Sequence, residues 1–220
     1  LCPTIMTPFI ALIACIVSVS LLVWIDHQSN PKASPALWIP TLWLMICGSR
    51  PVGNWFHGGT ASSMVSDEAG SPIDRMMLSA IILLAIVVLA HRKIDWSGLF
   101  KDNFWLIILY WFLGLSILWS DFSYVSFKRW FRVIGTLPIA LVILSERFPL
   151  QALESVFRRT AYVLIPLSLV LVKYFPLLGR QYNRWTGQVM WTGVGTHKNN
   201  LGFFCAIFLF FLVWIFYQRW

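Results

Sequence analysis

Apolar residues run through this chain in long blocks, and polar residues collect in the gaps between them. Seven blocks stand out, at 8–25, 36–47, 76–90, 104–119, 133–144, 161–175 and 201–217. Crossing the hydrocarbon of a bilayer takes about 20 mostly apolar residues, so each block is expected to be a transmembrane helix, the second reaching on toward Trp55. The second and fifth blocks are short and contain Pro40 and Pro138. Proline is tolerated in a membrane helix where neighbours satisfy the freed backbone groups, so both are expected as kinked spans. The expected fold class is an all-α integral membrane protein, a polytopic helix bundle of about seven transmembrane spans forming a single transmembrane domain over 1–220.

Three gaps between blocks carry patterns of their own. In 146–159, Leu150, Leu153 and Phe157 recur at helical spacing with Glu154, Arg158 and Arg159 mostly off that face, which predicts an amphipathic helix on the cytoplasmic surface. In 120–132, Ser120 or Asp121 is placed to cap a second interfacial helix in which Tyr124, Lys128 and Arg132 align at i, i+4 and i+8. That cationic stripe fits either headgroup contact or substrate binding. The gap at 176–198 is the longest cationic one, rich in Gly and Trp and carrying Arg180, Arg184, His197 and Lys198. Such a loop reads either as a membrane-interface anchor or as a site for an anionic, ring-bearing substrate.

Composition agrees with the blocks. The 220 residues are 58% hydrophobic and only 12% charged, whereas soluble domains are about a quarter charged. The net charge of +8 would suit nucleic acid, but the basic residues are scattered over the gaps without a long run. Membrane lipids and anionic lipid-linked partners are expected, and no nucleic acid. If the 26–35 gap is cytoplasmic and the sides alternate from there, cations divide almost evenly between the two sides, so the usual cytoplasmic excess of Lys and Arg does not orient the bundle. Cys2, Cys15, Cys47 and Cys205 lie singly in or beside apolar blocks and read as small hydrophobes. Asp67, Glu68 and Asp74 come nearest to a metal cluster, but neither a D-x-D nor an H-E-x-x-H spacing occurs, so no metal and no cofactor is expected. His27, His57 and His91 have no partner at useful spacing.

Four short motifs, in order, resemble one family. Trp191-x-Gly193 leads into His197-Lys198-Asn199-Asn200-Leu201-Gly202 and is preceded by Gly179-Arg180-x-Tyr182. Upstream lie Gly48-Ser49-Arg50-Pro51 with Trp55, then Glu68-Ala69-Gly70-Ser71-Pro72-Ile73-Asp74-Arg75, then Trp119-Ser120-Asp121 followed by Lys128-Arg129-Trp130. Together they resemble the O-antigen ligase/polymerase superfamily, most of all its exopolysaccharide-production polymerases. The resemblance implies a metal-independent glycosyltransferase of a bacterial inner (cytoplasmic) membrane, passing through it several times, with the 176–198 loop on the outer side. Its donor would be a polyprenyl-pyrophosphate-linked oligosaccharide and its acceptor a glycan or lipid-linked hydroxyl.

Under that implication Arg180 and Arg184 would neutralise the departing pyrophosphate, since a guanidinium offers a bidentate fork without a metal. His197 would be the general base, or else a residue capping the helix that starts near Asn199, with Asn199 or Asn200 as other caps. Arg50, Lys128, Arg132, Tyr182, Trp191, Lys198 and Asn199 are the further substrate-binding candidates. The superfamily's later histidine-bearing loop has no counterpart here, so the chain is expected to be a fragment of a larger bundle and inert by itself. The alternatives are a transporter or flippase of lipid-linked glycans, and a non-catalytic membrane partner. Charges at span ends and the lack of a visible repeat weigh against a transporter.

Overall fold

A computed structural model describes residues 7–29, 34–56, 72–183 and 185–220. The chain forms α1 (Pro8–Ser29), α2 (Trp38–Gly48) entered through a 3-10 turn at Pro35–Leu37, α3 (Val52–Phe56), α4 (Pro72–His91), α5 (Trp96–Asp102) and α6 (Phe104–Leu115) with a 3-10 extension at Ser116–Trp119. There follow α7 (Ser123–Leu144), α8 (Pro149–Tyr174), the single turn α9 (Pro176–Gly179), β1 (Arg180–Tyr182), β2 (Val189–Trp191) and α10 (Lys198–Arg219). Prolines open α4, α8 and α9, where a missing N–H has no helical partner to lose. Ser34 Oγ accepts from Ala36 N (3.2 Å) at the entry to α2, and Asp95 accepts from Gly98 N (3.2 Å) at the start of α5.

Four helices, α1, α4, α8 and α10, are long and apolar enough to cross a membrane. The pair α5–α6, bent by 79°, makes a fifth if read as one broken span. The chain is therefore a helical multi-pass membrane protein, and the two-stranded β1–β2 hairpin is its departure from an all-helical fold. Against the expected spans, α2 is short, and α7 carries Lys128, Arg129 and Arg132 inside its first half.

Two expected boundaries are absent. The stretches 120–132 and 146–159 do not form helices separate from the spans that follow: 123–132 opens α7 and 149–159 opens α8. Charged side chains near a helix end do not interrupt its backbone ladder, and neither Pro138 nor Pro166 breaks its helix. Nor does Ser120 or Asp121 cap α7. Its N-cap is Phe122, without a side-chain bond, and the Ser120 hydroxyl pairs with that of Ser126 at 2.6 Å.

Packing follows from these elements. Helices α4 and α7 run parallel: a Cβ on Gly135 would lie 2.3 Å from Ile82 Cδ1, and Arg92, just past α4, donates to the Val142 carbonyl near the end of α7 (2.9 Å). Trp43 of α2 completes this core with Ile81, Ala85, Leu89, Ile139 and Val142. A second core joins Ala161, Leu164 and Leu171 of α8 to Phe208 of α10 and to Val194. Outward, α10 presents Leu209, Phe210, Val213 and Phe216, an apolar surface suited to lipid.

The ends of the bundle differ in charge. At one, Asp26, with a side chain 0% exposed, accepts from Arg158 Nε and Arg159 Nε, each at 2.7 Å. Arg158 also reaches Glu154 at 3.1 Å, Arg159 lies 5.1 Å over the Trp38 ring, and Arg92 pairs with Glu146. The opposite end gathers the C-termini of α2 and α8 and the N-termini of α4, α7 and α10. There Arg50, Arg75, Lys128, Arg129, Arg132, Lys173, Arg180 and Lys198 face Asp74 and Asp121 as the only carboxylates among the described residues.

Candidate functional site

The expected loop at 176–198 is a built structure. Its chain leaves α8 at Phe175, makes the one turn of α9 and enters β1, which pairs antiparallel with β2 in the register Arg180–Trp191, Gln181–Met190 and Tyr182–Val189. Gly179 permits the close approach: a Cβ there would sit 2.3 Å from the Leu171 carbonyl carbon, against backbone that cannot step aside. Its carbonyl accepts from Thr192 N (2.9 Å) and Gly193 N (3.1 Å). Gly187, with φ of 66°, turns the far end, where Asn183 N donates to Gln188 O (2.9 Å). Gly193, with φ of 56°, redirects the chain toward α10.

Directly opposed residues of an antiparallel pair share a face, so Arg180, Tyr182, Val189 and Trp191 form one side of the hairpin. Tyr182 and Trp191 are exposed on it. The other side turns inward through Gln181, whose amide donates to the Thr196 carbonyl (2.7 Å). Arg180 Nε donates to the Val172 carbonyl at 2.7 Å, tying the side chain back to the end of α8. Among the described residues that is its one hydrogen bond, and its terminal nitrogens remain for a ligand. Arg184, which the sequence pairs with it, lies outside the described residues, as do His57 and the 68–71 part of the upstream motif.

Arg50 holds the hairpin from below. Its backbone N donates to Val194 O (2.8 Å), and its guanidinium donates to the carbonyls of Leu178 (2.6 Å), Gly193 (2.9 Å), Gly195 (3.3 Å) and Val194 (3.4 Å). The cation sits 4.9 Å over the Trp55 ring, and burial lowers its pKa from the ordinary arginine value. Only 8% exposed, Arg50 acts on the backbone of the site; the sequence reading placed it on substrate. Asp74, the acidic member of the upstream motif, accepts from Val52 N (2.6 Å) and Gly53 N (3.3 Å) and so fixes α3 beside Arg50.

His197 is exposed and occupies the N-cap of α10 through its backbone; its side chain makes no capping bond. His197 thus stands at the cap position that one alternative gave it, through its backbone alone, whereas Asn199 and Asn200 lie inside the first turn of α10 and do not cap it. Lys198 and Asn199 lie exposed in the first turn, and the Asn200 amide reaches back to Thr196 Oγ1 (3.2 Å). Lys128 and Arg132 stand apart from the hairpin, in a crevice of about 570 Å³ between the first turns of α4 and α7 that Arg75, Arg129 and Asp74 also line. Lys128 lies 4.6 Å over the Tyr124 ring, one helical turn earlier.

No family model, curated protein or solved structure matches this chain. The chemistry open to this end of the bundle follows from its side chains. Among the described residues no three His, Cys, Asp or Glu side chains gather as a metal would need; anion-binding capacity resides in guanidinium and ammonium groups. Sequence reasoning passed over Arg75 and Arg129 as site residues. The signal was present: like Lys128 and Arg132, each lies within the opening turns of a helix that starts at the same end. It also passed over Gln181 and the inward face of the hairpin, because pairing register is not written in any local spacing.

Proposed function

We propose that this chain belongs to a membrane glycosyltransferase of the polymerase or ligase kind. It would move an oligosaccharide from a polyprenyl pyrophosphate to a hydroxyl on a glycan or lipid-linked acceptor, in a bacterial inner membrane. In this reading seven segments, α1, α2, α4, α5–α6, α7, α8 and α10, cross the bilayer, and the hairpin end faces outward. The motifs support it, and one observation carries it: Arg180 is anchored by Nε to the end of α8 and keeps its terminal N–H groups for an anion beside exposed Tyr182 and Trp191.

The acceptor oxygen forms its bond to the sugar C1 as the C1–O bond to pyrophosphate breaks, and the electron pair leaves with the pyrophosphate. The acceptor proton passes to a base, for which exposed His197 is the candidate at this end. Arg180 meets the charge that builds on the leaving group, and Lys198, one residue into α10, adds a second cation at a helix terminus already inclined toward anions.

Substitution in the intact gene product tests this reading. Arg180→Ala is expected to lower turnover by about a hundredfold, on the order of 3 kcal/mol. Arg180→Lys is expected to recover little, because an ammonium lacks the planar fork. Normal polymer or ligation product from Arg180→Ala at normal membrane level would sink the proposal.

A further inference from the structure

The exposed face of the β1–β2 hairpin has an order as well as a composition. Its base lies at the helix ends, where β1 leaves α9 and β2 leads toward α10, and its turn around Gly187 lies beyond. Arg180 and Trp191 stand opposite each other at the base, with Tyr182 and Val189 one step further out on the same face. Tyr182 and Trp191 are each 63% exposed, and among the described residues neither ring packs on another aromatic ring or under a cation. Diagonal neighbours across an antiparallel pair lie about 7–8 Å apart, so the two rings share one face without covering each other. The order outward from the helix ends is therefore cation with aromatic, then aromatic.

The surroundings fix that face. Arg50 gathers the carbonyls of Leu178, Gly193 and Gly195 below it, and the Gln181 amide holds the Thr196 carbonyl on the inward side. At the turn, Asn183 Oδ1 accepts from Trp185 N and the Asn183 carbonyl accepts from Gly187 N, each at 2.9 Å. Aromatic anchors in fluid lipid need no set spacing. A ligand that carries rings in series gains from a platform whose spacing is set in advance.

We propose that this face is a stacking platform for the two sugars nearest the phosphate of a phosphate-linked oligosaccharide. The first pyranose lies on Trp191, beside the phosphate held by Arg180, and the second on Tyr182. The assignment rests on the transferase reading, which supplies the glycan. A pyranose with equatorial substituents offers a flat face of C–H bonds to an aromatic ring and leaves its hydroxyls in water, which suits rings exposed on a wet surface. Charge complementarity sets the direction: the anion goes to the terminal N–H groups of Arg180, and the uncharged rings go to the uncharged positions beyond it. A lipid-linked donor presents its parts in the same sequence, phosphate at the membrane boundary and sugars leading away.

Calorimetric titration of the full chain in lipid nanodiscs tests this. The probes are inorganic phosphate, glucose 1-phosphate, cellobiosyl 1-phosphate and cellobiose, whose pyranoses carry their hydroxyl, hydroxymethyl and 1,4 substituents equatorially. Each added ring on the phosphate is expected to tighten binding about tenfold. Trp191→Ala should bring glucose 1-phosphate down to inorganic phosphate, Trp191→Phe should keep most of the difference, and Tyr182→Ala should make glucose 1-phosphate and cellobiosyl 1-phosphate bind alike. Arg180→Ala should reduce cellobiosyl 1-phosphate to the affinity of cellobiose. The probe series on the unaltered chain answers without any substitution: equal affinity for the three phosphorylated probes, or binding of none, overturns the proposal and leaves the rings as interface anchors. So does a ring preference that survives both Trp191→Ala and Tyr182→Ala. Turnover in the intact gene product separates the two readings. Absent ring preference beside Arg180-dependent turnover sinks the platform alone, and a clear preference beside turnover indifferent to Arg180→Ala sinks the transferase reading alone.

Discussion

The two ends of this bundle treat the same residue type in opposite ways. At the end built around Asp26, arginines are matched to carboxylates: Arg158 and Arg159 to Asp26, Arg158 to Glu154, Arg92 to Glu146. At the hairpin end, Arg50 is matched to backbone carbonyls, Arg180 is half matched, and Arg75, Lys128, Arg129 and Arg132 line an open crevice. Matching neutralises a charge and makes it part of the scaffold. Among the described residues the hairpin end carries more cations than carboxylates, and an excess of one sign sets up a field that anions at a membrane boundary sense. What divides the ends is the kind of partner the described arginines use, carboxylates at one and backbone carbonyls at the other.

That contrast breaks most visibly at Asp26. Asp26→Ala would leave Arg159, 3% exposed, without its counter-ion in a buried setting. Removing one partner of a buried pair costs about 3–5 kcal/mol, so a large fall in thermal midpoint in detergent is expected. Stability equal to the parent chain would show that the network is decoration.

A middle-sized effect belongs to Arg50. Arg50→Lys keeps the charge but cannot serve the carbonyls of Leu178, Gly193, Val194 and Gly195 together. Hydrogen bonds from a charged donor contribute about 1.5–3 kcal/mol, and a loss of that order is expected, along with faster protease cleavage in the 180–195 segment. An uncleaved hairpin in Arg50→Lys would mean that the β1–β2 register holds it without help.

The smallest expected change sharpens the comparison by its smallness. Arg129→Gln and Arg132→Gln, which remove cations lining the crevice, should shift stability by no more than about 0.5 kcal/mol, measured in the same melting experiment as Asp26→Ala. A drop comparable to that of Asp26→Ala would place these cations in the scaffold and abolish the distinction between the ends.

Much of the architecture was legible in the chain because apolar blocks are a local property. The spans at 8–25, 76–90 and 201–217 each fall within one helix of the structure, and 161–175 runs one residue past the end of α8. Boundaries set by charge misled: Lys128, Arg129 and Arg132 on one helix and Glu154, Arg158 and Arg159 on another looked like surface segments, yet both stretches continue unbroken into α7 and α8. Part of the reason is Asp26, which lies 133 residues before Arg159 and lets that arginine be buried. The site was legible as a cationic, aromatic stretch and illegible as a shape. No spacing in the sequence announces that Arg180 stands opposite Trp191, that Gln181 points inward, or that Arg50 is held among backbone carbonyls.

Arg50 also sets an order of events. Its partners lie up to 145 positions later in the chain, so the contacts that fix the hairpin end cannot exist until residue 195 has been synthesised. Until then the guanidinium of Arg50 has none of the carbonyl partners that bury it in the finished fold. The Asp26 network is available earlier, once the first turns of α8 emerge. The partners that close the Asp26 end are therefore all available before those that close the hairpin end.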